Sequence, residues 1–129
     1  MINHAPKLTV VCHCTDCQKT SAGALSLTMF VERENFELLR GELAHFDRTA
    51  ASGNRARCYF CPNCSNRIYH ENPDNNAVLR VKPGTLDNTG IIQPEMHVWT
   101  SSAQSWVSLP EDIPCHETQP SMAELLGNN

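Results

Sequence analysis

The sequence predicts a mainly β fold clipped together by two clusters of cysteine. Three observations predict it. Short apolar, β-branched and aromatic segments recur along the chain, each bounded by Gly, Pro, Asn or Asp. Helical patterning is scarce. Six of the seven cysteines, at 12, 14, 17, 58, 61 and 64, fall in two tight groups, and Cys115 stands alone.

The elements follow in order. Lys7 to Val11 alternates weakly and reads as a short strand feeding the first cysteines. Cys17 to Ala24 reads as a short helix or turn, with Gly23 near its end. Leu25 to Val31 reads as a strand. Phe36 to Leu39 is a short apolar patch, Gly41 a turn, and Leu43 to Phe46 another strand. The breakers of Thr49 to Asn54 make a loop. Arg57 to Phe60 leads into the second cluster and Arg67 to His70 leaves it. Asn72 to Asn76 is a turn. Ala77 to Val81 alternates as a strand that Pro83 and Gly84 break. Met96 to Thr100, with Trp99, and Ser105 to Leu109, with Trp106, read as strands. Ser121 to Leu126 is a helical turn at most.

At 129 residues the expectation is one domain, 1–129, with 121–129 as a tail. Hydrophobic residues at 40% and charged residues at 19% fit a globular core and exclude a disordered chain. Ten Lys and Arg against fourteen Asp and Glu leave a net charge of −4. That argues against nucleic acid, which needs a strongly basic face. No stretch approaches the ~20 apolar residues of a membrane span. Met1 to Lys7 has no apolar run of a signal peptide. The expected setting is therefore cytoplasmic. In a reducing compartment an odd total of cysteines, six of the seven clustered, points to metal rather than to disulfides.

The first cluster is Cys12-His13-Cys14-Thr15-Asp16-Cys17; the second is Cys58, then Cys61-Pro62-Asn63-Cys64. A two-residue gap lets two thiolates face one ion, and backbone N–H groups of the same turn can donate to the sulfurs. Zinc suits such sites, being tetrahedral, redox-inert and thiophilic. The metal ligands expected are Cys12, Cys14, Cys17, Cys61 and Cys64, with Cys58 an optional sixth. Cys12, Cys14 and Cys17 with an open fourth position make a catalytic arrangement, whereas a structural zinc wants four protein ligands. His13 reads as facing solvent.

The chain resembles the family of glutathione-dependent formaldehyde-activating enzymes, which includes centromere protein V. The resemblance rests on Cys12-His13-Cys14-Thr15-Asp16-Cys17-Gln18-Lys19 followed by Gly23-Ala24, on Gly41-Glu42-Leu43, and on Phe60-Cys61-Pro62-Asn63-Cys64. It continues in Gly84-Thr85-Leu86-Asp87, Pro94 to Trp99 and Trp106 to Pro110, covering about residues 6 to 120. It implies a fold of several small coiled antiparallel sheets, a β-tent, held by zinc. It implies that Cys12, Cys14 and Cys17 hold the zinc assigned to catalysis. It also implies that Cys61 and Cys64 are half of a structural zinc site, joined by an earlier C-x-C-G pair.

That earlier pair does not occur among the eleven residues ahead of Cys12. Three readings stand open: a shortened start, loss of the structural zinc, or regrouping of the cysteines around one ion. Loss of the hairpin predicts a homodimer through the edge it leaves. A second departure is Cys64-Ser65-Asn66, where the family has Gly after the cysteine; Gly relieves a turn that favours φ > 0, so some distortion of the knuckle is expected.

The activity implied is condensation of glutathione with formaldehyde to S-hydroxymethylglutathione, a carbon–sulfur lyase reaction run backwards. An open zinc position lowers a thiol's pKa so that it reacts as thiolate. A non-catalytic binding module with one closed four-cysteine site is the alternative. Glutathione carries two carboxylates, so Lys19, Arg48, Arg55, Arg57 and Arg67 are candidate contacts, each also readable as a solvated surface residue. His97 and Trp99 read as core or supporting residues, Trp106 as core, Cys115 as a bystander and Asp16 as a turn-stabiliser. His45 and His70 receive no role.

Overall fold

The structure, a computed structural model, describes residues 1–50 and 52–126. Ala51 of the 49–54 loop and residues 127–129 of the tail lie outside the described residues. Seven strands run β1 (Leu8–Cys12), β2 (Ser26–Glu32), β3 (Ala44–Thr49), β4 (Arg55–Phe60), β5 (Arg67–Asn72), β6 (Asn75–Val81) and β7 (Met96–Val98). Two short helices are α1 (Thr15–Ser21) and α2 (Met122–Leu126). The strands are hydrogen-bonded in the order β3-β4-β5-β6-β2-β1-β7, so the mainly β class expected from the sequence holds. No helix of the described residues is long and apolar enough to cross a membrane.

The chain divides into two compact units, and β2 runs through both. The first holds Met1–Lys7 and Met29–Ile91. Its strands pair antiparallel, β3 with β4, β4 with β5 and β5 with β6 as sequence neighbours, and β2 with the distant β6. Gly53 takes φ +86° in the turn between β3 and β4, a conformation open to glycine. Between β5 and β6 the Asn72 Oδ1 accepts from the Asp74 N–H at 2.9 Å, an Asx turn. Met29 faces Val81 and Val31 faces Leu79 in register, and these four make a buried cluster. Ile2, Phe36, Tyr69 and Leu86 pack on it. The same face carries the stacked Tyr59 and Tyr69 rings, 4.5 Å apart. It also carries buried Glu71, which accepts from Tyr59 Oη at 3.0 Å and pairs with Arg33.

The second unit holds Leu8–Thr28 and the chain from Ile92 onward. All five residues of β1 are buried, which accounts for a strand that alternates so weakly in sequence. β1 pairs parallel with β7, Val10 with Met96 and Cys12 with Val98. Glu95 fastens the start of that pair: its Oε2 accepts from Thr9 N–H at 2.9 Å, and its N–H donates to Thr9 O at 2.8 Å. At α2, Ser121 and Glu124 cap each other reciprocally, a capping box.

The strand expected over Ser105 to Leu109 does not form, and Trp106 is 73% exposed rather than core. Trp99 enters the left-handed region at φ 57°, ends β7 and leads into a 3-10 turn at Thr100–Ser102. Residues 105–109 join no ladder, and Val107 N–H bonds locally to Gln104 O at 3.0 Å; it is the segment around Cys115 that lies along His97. An apolar run without a neighbouring strand has no ladder to join.

Candidate metal centre

β1 delivers Cys12 at its end, and the chain turns at once into α1. Cys14 is the N-cap of α1, in extended conformation at φ −64° and ψ 155°. Its Sγ accepts from the Cys17 N–H at 3.3 Å, the role a serine or aspartate plays at most helix starts. Cys17 lies one turn in. Strand end, cap and first turn thus bring the three sulfurs within 4.8 Å of one another. Tetrahedral thiolates around zinc, each at about 2.3 Å, sit roughly 3.8 Å apart. The three cysteines therefore fit a zinc ion with small adjustments of their side chains. Cys12 and Cys17 are buried, and Cys14 is partly open.

The three thiols are not equivalent. Hydrogen bonds from Cys12 and Cys17 to the Cys14 sulfur hold it far below the ordinary thiol range, helped by the backbone N–H groups of Cys17 and Asp16. Cys12, whose thiol donates within the cluster and is buried, is pushed up. The cluster thus favours thiolate at Cys14 over Cys12, and thiolate is the form a metal needs.

His13, expected to face solvent, is completely buried. Its Nε2 shares a hydrogen with His97 Nδ1 at 2.8 Å, and the two rings stack 5.1 Å apart. Burial lowers the pKa of both imidazoles, and the mutual repulsion of two charged rings lowers His13 further. His97 thus takes the supporting place expected of it. Gln18 is a second fastening that composition alone does not reveal. Its Nε2 donates to His13 O at 2.8 Å and to Ser102 O at 2.9 Å, while its Oε1 accepts from Gln104 at 2.8 Å. Its one sequence signal is its place directly after Cys17.

The second cysteine pair forms the loop between β4 and β5. Ser65 N–H donates to Cys61 O at 2.8 Å, and Cys61 N–H donates to Asn66 O at 2.9 Å. The backbone N–H groups of Cys64 and Asn63, then the Cys64 thiol, lower the pKa of Cys61. Ser65 takes φ 66°, so the turn keeps its left-handed residue although serine stands where glycine was expected to be needed. Among the described residues, the only ligand-bearing group of three or more is Cys12, Cys14 and Cys17; Cys61 and Cys64 remain a pair. Cys58 is 1% exposed in the middle of β4, paired with Phe46 and His70. Cys115 is exposed near the carbonyls of Pro110 and Ile113.

The candidate cations separate. Arg57 holds Asp47 through two hydrogen bonds of 2.8 and 3.0 Å, and Arg55 reaches Asp74 at 3.3 Å. Lys19 is exposed in the last turn of α1. His45 is exposed against the Tyr59 ring. Arg48 and Arg67 each bury an Nε.

A family model described as "Glutathione-dependent formaldehyde-activating enzyme" matches residues 1–102. A comparison with curated proteins finds no match. The matched span runs through both units and contains Cys12, Cys14, Cys17, Cys61 and Cys64, most of the chain. This chain therefore belongs to the glutathione-dependent formaldehyde-activating enzyme family.

Proposed function

We propose that this chain is a zinc-dependent enzyme of the carbon–sulfur lyase type, joining glutathione or a similar thiol to a small aldehyde and splitting the adduct. The observation that carries the reading is the group of three convergent sulfurs at Cys12, Cys14 and Cys17. Three protein ligands leave one tetrahedral position for a small molecule, as catalytic zinc sites do. A closed structural site, the competing reading, requires a fourth.

When bound, zinc supplies Lewis acidity, which lowers the pKa of a coordinated thiol. The chain's own residues supply the rest. Cys14 holds negative charge at the partly open side of the cluster, while Cys12 and Cys17 form its buried floor. The His13–His97 hydrogen bond and the Gln18 contacts keep the turn rigid, so that the sulfurs do not reorganise when charge changes. In the addition, sulfur forms a bond to the aldehyde carbon, the carbon–oxygen double bond becomes single, and the thiol proton ends on oxygen. The reverse reaction breaks the carbon–sulfur bond. Cys61 and Cys64 fit half of a second, structural site, and we read residues 1–129 as one working domain.

Native mass spectrometry with and without glutathione tests this. The expected result is zinc at Cys12, Cys14 and Cys17 that gains one glutathione, with both lost in Cys14→Ser. A single zinc that ignores glutathione, together with no acceleration of S-hydroxymethylglutathione formation, would replace the enzyme by a binding module.

A further inference from the structure

The turn between β4 and β5 carries two metal-binding side chains, Cys61 and Cys64. Their spacing lets two thiolates face one ion. The backbone already closes the turn around them: Ser65 N–H donates to Cys61 O at 2.8 Å, and Cys61 N–H donates to Asn66 O at 2.9 Å. The N–H groups of Cys64 and Asn63 donate to the Cys61 sulfur, as such groups do to a metal-bound thiolate. A structural zinc is closed by four protein ligands. Among the described residues no His, Asp, Glu or further Cys joins this pair. Ala51 and residues 127–129, outside the description, are none of these types. This turn therefore offers one ion two of its four ligands.

The surroundings of the pair indicate what brings the other two. Pro62, Asn63, Cys64, Ser65 and Asn66 are all exposed, so another molecule can reach the sulfurs. Apart from the thiols, none of these side chains is ionisable, and two such turns can approach without repulsion. Apolar surface lies beside them. β3 is the end strand of the sheet, and its Ala44 faces Phe60, the residue before Cys61. Phe46, two residues along β3, is 42% exposed, and its ring lies 6.3 Å from that of Phe60. Aromatic rings are enriched where protein surfaces meet. A two-fold axis through one ion lets each of two identical chains give the same two sulfurs, which completes a tetrahedron.

We propose that Cys61 and Cys64 bind zinc together with the same pair from a second copy of this chain, so that one ion with four thiolates joins two chains. Each thiol releases its proton to solvent as it binds, and no electron is transferred. The inference rests on reading this pair as half of a zinc site, and is independent of the lyase reaction at Cys12, Cys14 and Cys17.

The test is native mass spectrometry and light scattering of the zinc-loaded full chain, kept reduced with a phosphine. The expected species is a dimer with three zinc ions, one at each group of Cys12, Cys14 and Cys17 and one shared. Cys64→Ser, at an exposed position, is expected to give a monomer with one ion. Cys14→Ser is expected to keep the dimer on the shared ion alone. A chelator then splits that variant into monomers and added zinc restores it, which decides the matter even where Cys64→Ser fails to fold. Cys115→Ser, the exposed cysteine of the second unit, is expected to change neither mass nor zinc. A monomer holding two ions, or a dimer that Cys64→Ser leaves intact, overturns the proposal. A wild-type dimer with only the shared ion upholds it and ends the reading of Cys12, Cys14 and Cys17 as a zinc site; monomers with one ion each, lost in Cys14→Ser, do the reverse.

Discussion

His13 and His97 are bound ring to ring, Nε2 to Nδ1 at 2.8 Å, with His13 completely buried between two cysteines of the metal cluster. An imidazole pair of this kind needs one donor and one acceptor, so at least the accepting ring is neutral when it forms. The pair ties the turn after β1 to the strand β7 beside it, and β1 and β7 are already in register at Val11 and His97.

Removing one ring strands the other. His97→Ala leaves a buried His13 nitrogen unmet and opens a void, and a loss of roughly 1–3 kcal/mol of stability is expected. Chemical unfolding of the metal-free chain measures it. An unchanged midpoint would show that the hydrogen bond contributes nothing.

The histidines also set a pH response. His13, His97 and His70 are all held below their ordinary value in the fold, by burial first in each case. The unfolded chain takes up protons below about 6.5, while the folded chain takes them up only at lower pH. The unfolded state thus binds more protons in that window, and stability rises with pH there. Stability is expected to be full above about pH 7, to fall as pH drops through about 6.5 toward the folded values, and then to level off. Denaturant unfolding between pH 5 and 7.5 checks the sign. A flat or inverted profile would contradict it.

Cys14 does two things that one substitution separates. Serine caps helices as well as cysteine accepts here, so Cys14→Ser should keep α1 and change the stability of the metal-free chain by less than about 1 kcal/mol. Zinc content, measured by elemental analysis, should fall by one ion per chain. Cys58→Ser, inside β4, should leave the zinc count intact and lower stability by roughly 1–3 kcal/mol for the buried hydroxyl. Loss of zinc in Cys58→Ser would move Cys58 into the ligand set.

Ser65 sits at φ 66° in the Cys61–Cys64 turn. A left-handed non-glycine residue costs about 1–2 kcal/mol, part of which glycine returns as unfolded-chain entropy. Ser65→Gly is therefore expected to stabilise the chain by roughly 0.5–1 kcal/mol in urea unfolding. A loss of stability would mean that the serine side chain holds the turn.

The cysteine spacings are legible in the linear sequence because a metal knuckle is local. Cys12, Cys14 and Cys17 lie within one strand end and one helical turn, and no distant residue is needed to bring their sulfurs together. The strands β2, β3 and β6 are legible for the same reason, since turn residues and alternation act over a few positions. The left-handed φ at Ser65 is set by the Cys61–Cys64 turn, which keeps it in spite of the serine. Burial and partners are different: they depend on which distant segment arrives. His13 reads as a surface residue until His97, 84 positions away, meets it. Trp106 reads as core until Trp99 turns the chain and leaves residues 105–109 without a neighbour. Phe46 and Phe60 lie apart in sequence, and only the antiparallel register of β3 with β4 sets them on one face beside the Cys61–Cys64 turn. Local geometry is written in neighbouring residues; a face, a burial or a shared proton is decided by the whole chain's packing.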